Sequence, residues 1–172
     1  MPNAPTHLLL RREREADAAK IHAITDAAFR GMPYASGDEA AIVDRLRRSG
    51  GLALSLVALI DDDLIGHVAF SPAVAADGSA PWFALGPVSV RPDLQRQGVG
   101  SALIRRGLKL LADDNALGCI LVGDPAYYQR FDFKLAPDNS PSQDYAPYFM
   151  LCRFAQTQPS GTLSFHDAFD GS

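Results

Sequence analysis

The 172-residue chain has two cysteines and four histidines. Two thiols cannot build the disulfide framework that holds small secreted domains together. Cys119 and Cys152 both sit in apolar runs, L-G-C-I-L-V and Y-F-M-L-C-R-F, and read as reduced core thiols. His7, His22, His67 and His166 are scattered without metal-ligand spacing, so no metal is expected. No Ser/His/Asp or Cys/His signature is present either. An excess of positive charge is also missing: 16 Lys and Arg stand against 20 Asp and Glu, a formal net charge of -4. That balance argues against general binding of nucleic acid or anionic membranes, which draws on clustered Lys and Arg, and leaves a cationic or neutral partner. No run approaches the roughly 18 consecutive apolar residues of a membrane span, and M-P-N-A-P-T-H lacks the features of a signal peptide. A cytoplasmic location is expected. What is present is ordinary for a folded soluble protein: 47% hydrophobic and 21% charged residues, without repeats, in a length that fits one domain.

The element order is mixed α/β. Residues 6–12 read as a strand and 16–29 as a helix, with Ala19, Ala23, Ile24 and Ala27 in helical register. After a G-M-P-Y break, 38–49 places Ile42, Val43 and Leu46 on one helical face ended by Gly50-Gly51. L-S-L-V-A-L-I, a D-D-D turn and L-I-G-H-V-A-F-S form a β-hairpin, and 72–81 reads as a loop of small residues. Residues 82–90 make a strand interrupted by Gly86-Pro87. The clearest helix spans 99–115, with Val99, Leu103, Ile104, Leu108 and Leu111 on one stripe. Residues 118–122 are all apolar apart from the first glycine, the pattern of a strand covered on both faces. A short helix over 126–131 and strands at 149–154 and 162–165 complete the order.

The stretch P-D-L-Q-R-Q-G-V-G-S-A-L puts two glycines where a strand turns into the strongest helix. A helix N-terminus carries unpaired N–H groups and the positive end of the macrodipole, so it accepts phosphate when no side chain blocks the approach. Gly98 and Gly100 remove that obstruction; Gly98 is equally suited to a tight structural turn. The P-loop pattern fails, because no Gly-Lys-Ser/Thr follows. The dinucleotide fingerprint fails at its third position, where Leu103 stands. Gly86-Pro87 would also break the ladder of a central parallel strand, whereas a splayed or bulged strand accommodates it.

V-S-V-R-P-D-L-Q-R-Q-G-V-G-S-A-L-I resembles the acyl-CoA-binding motif of the GNAT superfamily of N-acetyltransferases, whose Gln/Arg-x-x-Gly-x-Gly/Ala pattern is matched by Gln95, Gly98 and Gly100. D-P-A-Y-Y-Q-R-F-D-F is similar to the family's short helix bearing a tyrosine. The resemblance implies an α/β (α+β) acyl-CoA N-acyltransferase fold. Its central sheet is mixed and mostly antiparallel, with two splayed parallel strands and flanking helices. A single domain over 1–172 is expected, with a core of about 6–154 and a C-terminal strand extension over 155–172.

The resemblance also implies acetyl-CoA, lying between the strands at 82–90 and 118–122. Its pantetheine would run along the backbone of Val88, Ser89 and Val90. Its pyrophosphate would meet the Gln95 turn and the N–H groups of Gln97, Gly98, Val99, Gly100 and Ser101, with Arg96 adding charge. Val88 would supply the N–H that meets the oxyanion, and Tyr128 the proton for the departing thiolate. A packed aromatic is the lesser reading of Tyr128, and Tyr127 reads as a residue facing the core.

The strand positions that carry a base in other members hold Ala84 and Gly86, neither of which can serve. Glu39, His67 and Asp124 are the remaining candidates. Glu39 is also good helix-capping chemistry, and His67 reads as a core histidine. The expected activity is acetyl transfer to a primary amine of a small molecule, peptide N-terminus or lysine, by a monomer or homodimer. A non-catalytic acyl-CoA-binding module is the alternative.

Overall fold

The apolar stripe expected over 99–115 forms α3 (Val99–Asp113), and Val99, Leu103, Ile104, Leu108 and Leu111 are all buried. Full burial of each such side chain stabilises by about 1.5–3 kcal/mol, so the stripe fixes which face of the helix meets the sheet. The computed structural model describes residue 5 and residues 7–171, so Thr6, at the expected start of the first strand, lies outside the described residues.

In chain order the other elements are β1 (Leu8–Arg12), α1 (Ala18–Phe29), α2 (Glu39–Ser49), β2 (Leu54–Ile60), β3 (Asp63–Ala75) and β4 (Trp82–Val90). After α3 come β5 (Gly118–Val122), α4 (Pro125–Tyr128), β6 (Lys134–Leu135), β7 (Phe149–Arg153) and β8 (Leu163–Ser164). One mixed sheet has the strand order β1-β2-β3-β4-β5-β7-β6, with β8 added to β3. Only β4 and β5 are parallel among the described pairs.

Two layers of helix cover the sheet. α3 lies on the face carrying Leu54, Leu56, Val68, Phe70 and Leu85, which also takes Phe131 and Phe133. α1 and α2 cover the opposite face, where Ile21 and Val43 meet Val57, Leu59 and Leu64. Period-2 alternation along β2 and β3 sends neighbouring residues to these two layers, which is why both strands are apolar nearly throughout.

β3 runs four residues beyond the expected hairpin, through Pro72 to Ala75. The pairing of β3 with β2 ends at Leu54↔Phe70, so Pro72 stands where β3 has only β4 beside it, and a missing N–H breaks no ladder there. β8 then pairs Ser164 and Leu163 with Val74 and Ala75. The segment after it returns to α2, where Arg45 Nε donates to the Ala168 carbonyl at 2.9 Å. Cys119 and Cys152 are unpaired, buried, and directly opposite one another across β5 and β7. Burial holds both thiols above the ordinary range, Cys152 at about 11, and so suppresses the reactive thiolate. Among the described residues no helix is long and apolar enough to cross a membrane.

Candidate active site

β4 and β5 run together for three residue pairs, Trp82↔Gly118, Phe83↔Cys119 and Ala84↔Ile120, and then part. β4 continues against β3, with Leu85↔Phe70, Val88↔Val68, Ser89↔His67 and Val90↔Gly66. β5 continues against β7 as far as Val122↔Phe149. The separation falls at Gly86-Pro87. The ladder passes directly from Phe70↔Leu85 to Val68↔Val88, leaving two residues of β4 opposite one of β3, a bulge. Gly86 has φ 133°, a conformation that L side chains rarely adopt, so a glycine is required where the strand swings away. Past the bulge, no strand pairs with the β5 side of Val88, Ser89 and Val90 among the described residues.

The turn into α3 stands at the wide end of this opening. Gln95 Nε2 donates to the Val90 carbonyl at 3.1 Å, tying the turn to the end of β4. The side chain of this motif residue is thus committed to the protein. Arg96 and Gly98 have φ 64° and 84°, left-handed geometry that turns neighbouring N–H groups toward a common point. Gly98 is the N-cap of α3 and contributes no capping side chain, so the first-turn N–H groups of Val99, Gly100 and Ser101 face outward uncapped. Val99 directs its side chain into the core, while Arg96 and Gln97 are exposed. A methyl group on Gly100 would sit 3.7 Å from the Tyr127 hydroxyl, 3.7 Å from Val90 Cγ2 and 3.9 Å from Val88 Cγ1. Strand, turn and short helix therefore converge on one spot.

Tyr128 packs edge-on to Tyr127, with ring centroids 4.9 Å apart, and to Phe133 at 6.1 Å. A Cβ on Gly123, at the end of β5, would come within 2.6 Å of its ring, so glycine there makes room for the tyrosine. Burial raises the phenol well above its ordinary pKa, with Tyr127, Tyr34 and Asp124 adding to the effect, so Tyr128 keeps its proton at every working pH. Tyr34, an exposed aromatic of the α1–α2 connection, acts on Tyr128 only through its charge distribution, and no local pattern marks an influence exerted across so much chain. Tyr127 is only half-buried, with its ring under the Arg130 guanidinium at 4.4 Å and its hydroxyl toward α3.

Two of the carboxylates weighed as bases are engaged in their own loops. Glu39 accepts from the Ser36 N–H at 2.7 Å, the Ser36 hydroxyl at 2.8 Å and the Gly37 N–H at 3.1 Å. Asp124 is the N-cap of α4 and accepts from the Ala126 N–H at 3.0 Å. Asp124 thus caps the start of its helix, whereas Glu39 is held by the loop that precedes α2.

His67 is fully buried on β3, with Nε2 2.7 Å from Ser55 Oγ. Burial pushes its pKa down to about 4; Glu13 opposes this and Arg47 adds to it. An unfolded histidine titrates near 6.5, so between about pH 4 and 6.5 the unfolded chain binds a proton that the folded chain does not. This contribution is complete above pH 7 and is lost as the pH falls toward 4. Denaturant titrations should therefore show the protein less stable at pH 5.5 than at 7.5, by about 1 kcal/mol from His67. The difference should shrink in His67→Gln; an unchanged pH slope in that variant would assign the effect to other groups.

A sheet opened between two parallel strands, with a glycine-turned helix N-terminus at its mouth and a tyrosine on the short helix beyond β5, is the architecture of an acyl-transfer enzyme. Residues 19–133 match the model of the Acetyltransferase (GNAT) family, and the chain belongs to that family. The N-acetyltransferase YhbS of Escherichia coli K12 is 36% identical over 152 residues, covering 88% of this chain and 83% of YhbS. A GNAT family acetyltransferase from Brucella melitensis, solved in complex with acetyl-CoA, has 43% identity and a TM-score of 0.85, over 96% of this chain and 100% of that one. The crystal structure of E. coli YhbS in complex with CoA superimposes with a TM-score of 0.88 at 30% identity, over 99% of this chain and 96% of that one.

Proposed function

We propose that this protein transfers the acetyl group of acetyl-CoA to a primary amine on a small molecule, a peptide N-terminus or a lysine. The observation that carries the reading is the alignment of the β4–β5 opening with the uncapped first turn of α3. Acetyl-CoA supplies the activated acyl carbon and a thiolate leaving group. The N–H groups of Gln97, Gly98, Val99, Gly100 and Ser101 hold its pyrophosphate, and exposed Arg96 adds charge. The backbone of Val88, Ser89 and Val90 pairs with the pantetheine arm in place of a strand. Gln95 acts at one remove, by holding the turn to Val90.

For the chemistry, the Val88 N–H donates to the oxygen that gains charge as the amine attacks. As the new C–N bond forms and the C–S bond breaks, Tyr128 gives its proton to the sulfur and regains one from solvent. A lysine-type amine of pKa about 10.4 is neutral only in a few molecules per ten thousand at pH 7. With Glu39 held by its preceding loop and Asp124 engaged in capping, the site takes the neutral amine and passes its excess proton to water.

Acetyl-CoA at 100 times its dissociation constant should stabilise the fold by roughly 2.7 kcal/mol, raising Tm by about 5–11 °C. Gly98→Glu places bulk and negative charge against the pyrophosphate and should lose that shift. Gly98→Ala carries the same backbone penalty without the charge and controls for it. An unmoved Tm with saturating acetyl-CoA would sink the reading, and an undiminished shift in Gly98→Glu would put the phosphates elsewhere. Release of CoA with a panel of amines then reports the acceptor.

A further inference from the structure

The face of the sheet under α1 and α2 holds a line of polar groups that the reading above leaves unused. It begins at Arg47, which clasps Glu13 through Nε–Oε2 at 3.0 Å and Nη2–Oε1 at 3.1 Å. Burial opposes ionisation of Glu13, but the hydrogen bonds from Arg47 and Ser55 outweigh it and hold the carboxyl below its usual range. Glu13 is therefore an acceptor only. The single proton of Ser55 goes to Glu13 Oε1, its close partner. Ser55 Oγ can then only accept from His67, whose Nε2 lies 2.7 Å away, and so Nε2 must carry the hydrogen.

That assignment leaves a lone pair on Nδ1, an atom that is buried and has no protein hydrogen-bond partner. Directly across from His67 in the β3–β4 ladder stands Ser89, which is 1% exposed and whose Oγ is likewise without a partner. Side chains opposite one another in an antiparallel ladder have Cβ atoms about 4.5–5.5 Å apart, a gap that a rotated hydroxyl or one bridging water closes. The opposite β2 neighbour, Val57, offers no donor. Two buried groups of matching chemistry, on residues directly opposite in the ladder and each without a protein partner, are each costly to leave unpaired.

We infer that His67 is a positioning residue: fixed by Ser55 and Glu13 as its Nε2–H tautomer, it accepts through Nδ1 a hydrogen bond from Ser89, directly or across one water, and so holds the 88–90 segment in place. Ser89 follows Val88 in the part of β4 that has lost its β5 partner, and this line of groups supplies a lateral restraint there. The inference rests on the proposed role of the Val88 N–H, because a donor aimed at a developing charge acts only if its strand stays put.

Nitrogen-15 NMR of the histidine-labelled wild-type protein, free of ligand and near pH 7, tests the first half without any variant. The expected spectrum has a protonated Nε2 and a bare Nδ1 for His67, with the Nδ1 resonance shifting in Ser89→Ala. An Nδ1–H tautomer, an imidazolium, or an Nδ1 signal indifferent to Ser89→Ala would overturn the assignment. Kinetics test the second half. Ser89→Ala should lower kcat by about tenfold or more, a larger loss than any in acetyl-CoA affinity, and Ser89→Thr, which restores a hydroxyl, should recover much of it. A Ser89→Ala enzyme with wild-type kcat, or a loss that Ser89→Thr does not repair, would refute the positioning role. Should wild-type protein neither bind acetyl-CoA nor transfer the acetyl group, the proposed function fails instead, and the tautomer result stands separately.

Discussion

Tyr128→Phe is expected to lower kcat for acetyl transfer by about 10²- to 10⁴-fold, the usual worth of a positioned general acid. The substitution keeps the aromatic volume that meets Tyr127, Phe131 and Phe133, so folding and acetyl-CoA affinity should hold. Burial raises the phenol, which by itself makes it a weaker acid. The same dry surroundings penalise a departing thiolate, whose free pKa is about 8.5, and raise it in parallel, so proton transfer between the two stays close to balanced. Measuring kcat together with acetyl-CoA affinity separates the roles. A variant within about twofold of wild type in both would leave Tyr128 as a packing residue, its sulfur partner protonated by water or by the acceptor's own ammonium.

Gly107→Ala should cost about 2 kcal/mol or more of stability and lower Tm by about 4–8 °C, although alanine is the better helix former by about 0.8–1 kcal/mol. Gly107 lies on the sheet side of α3, and a methyl there would come within 2.2 Å of Phe70 Cε2 and 2.4 Å of Cζ. Phe70 is fully buried and has nowhere to turn, so α3 must lift off the sheet. Trimming the ring in Gly107→Ala/Phe70→Leu should return part of the loss, because the two residues share one space. A rise in Tm for Gly107→Ala alone would show that the helix rides outward freely and that propensity, not packing, governs the position.

Elements whose identity rests on local pattern were legible in the sequence. The α3 stripe, the apolar run of β5 and the Ile42, Val43 and Leu46 face of α2 each repeat at the period of the structure they form. The turn at Gly98 was legible too, since left-handed backbone selects for glycine. The extension of β3 through Pro72 was not, because proline is tolerated there only through the absence of a neighbouring strand, a fact of the sheet rather than of the segment. β6, two residues long, is too short to carry a period. At the site, the engagement of Glu39 could be weighed from its place at a helix start. The links from Arg47 through Glu13 and Ser55 to His67 could not, because they join four segments that meet only after the sheet has formed.

The three rungs between β4 and β5 bear on how the molecule responds to load. They form a seam between a large leaf, β1 to β4, and a small one, β5 with β7 and β6. A seam that short is a natural line of tearing, and α3, joining β4 to β5 in the chain, is the strap across it. A long ligand wedged in the gap would act as a keystone, so that the two leaves fail together when it is bound and in sequence when it is not.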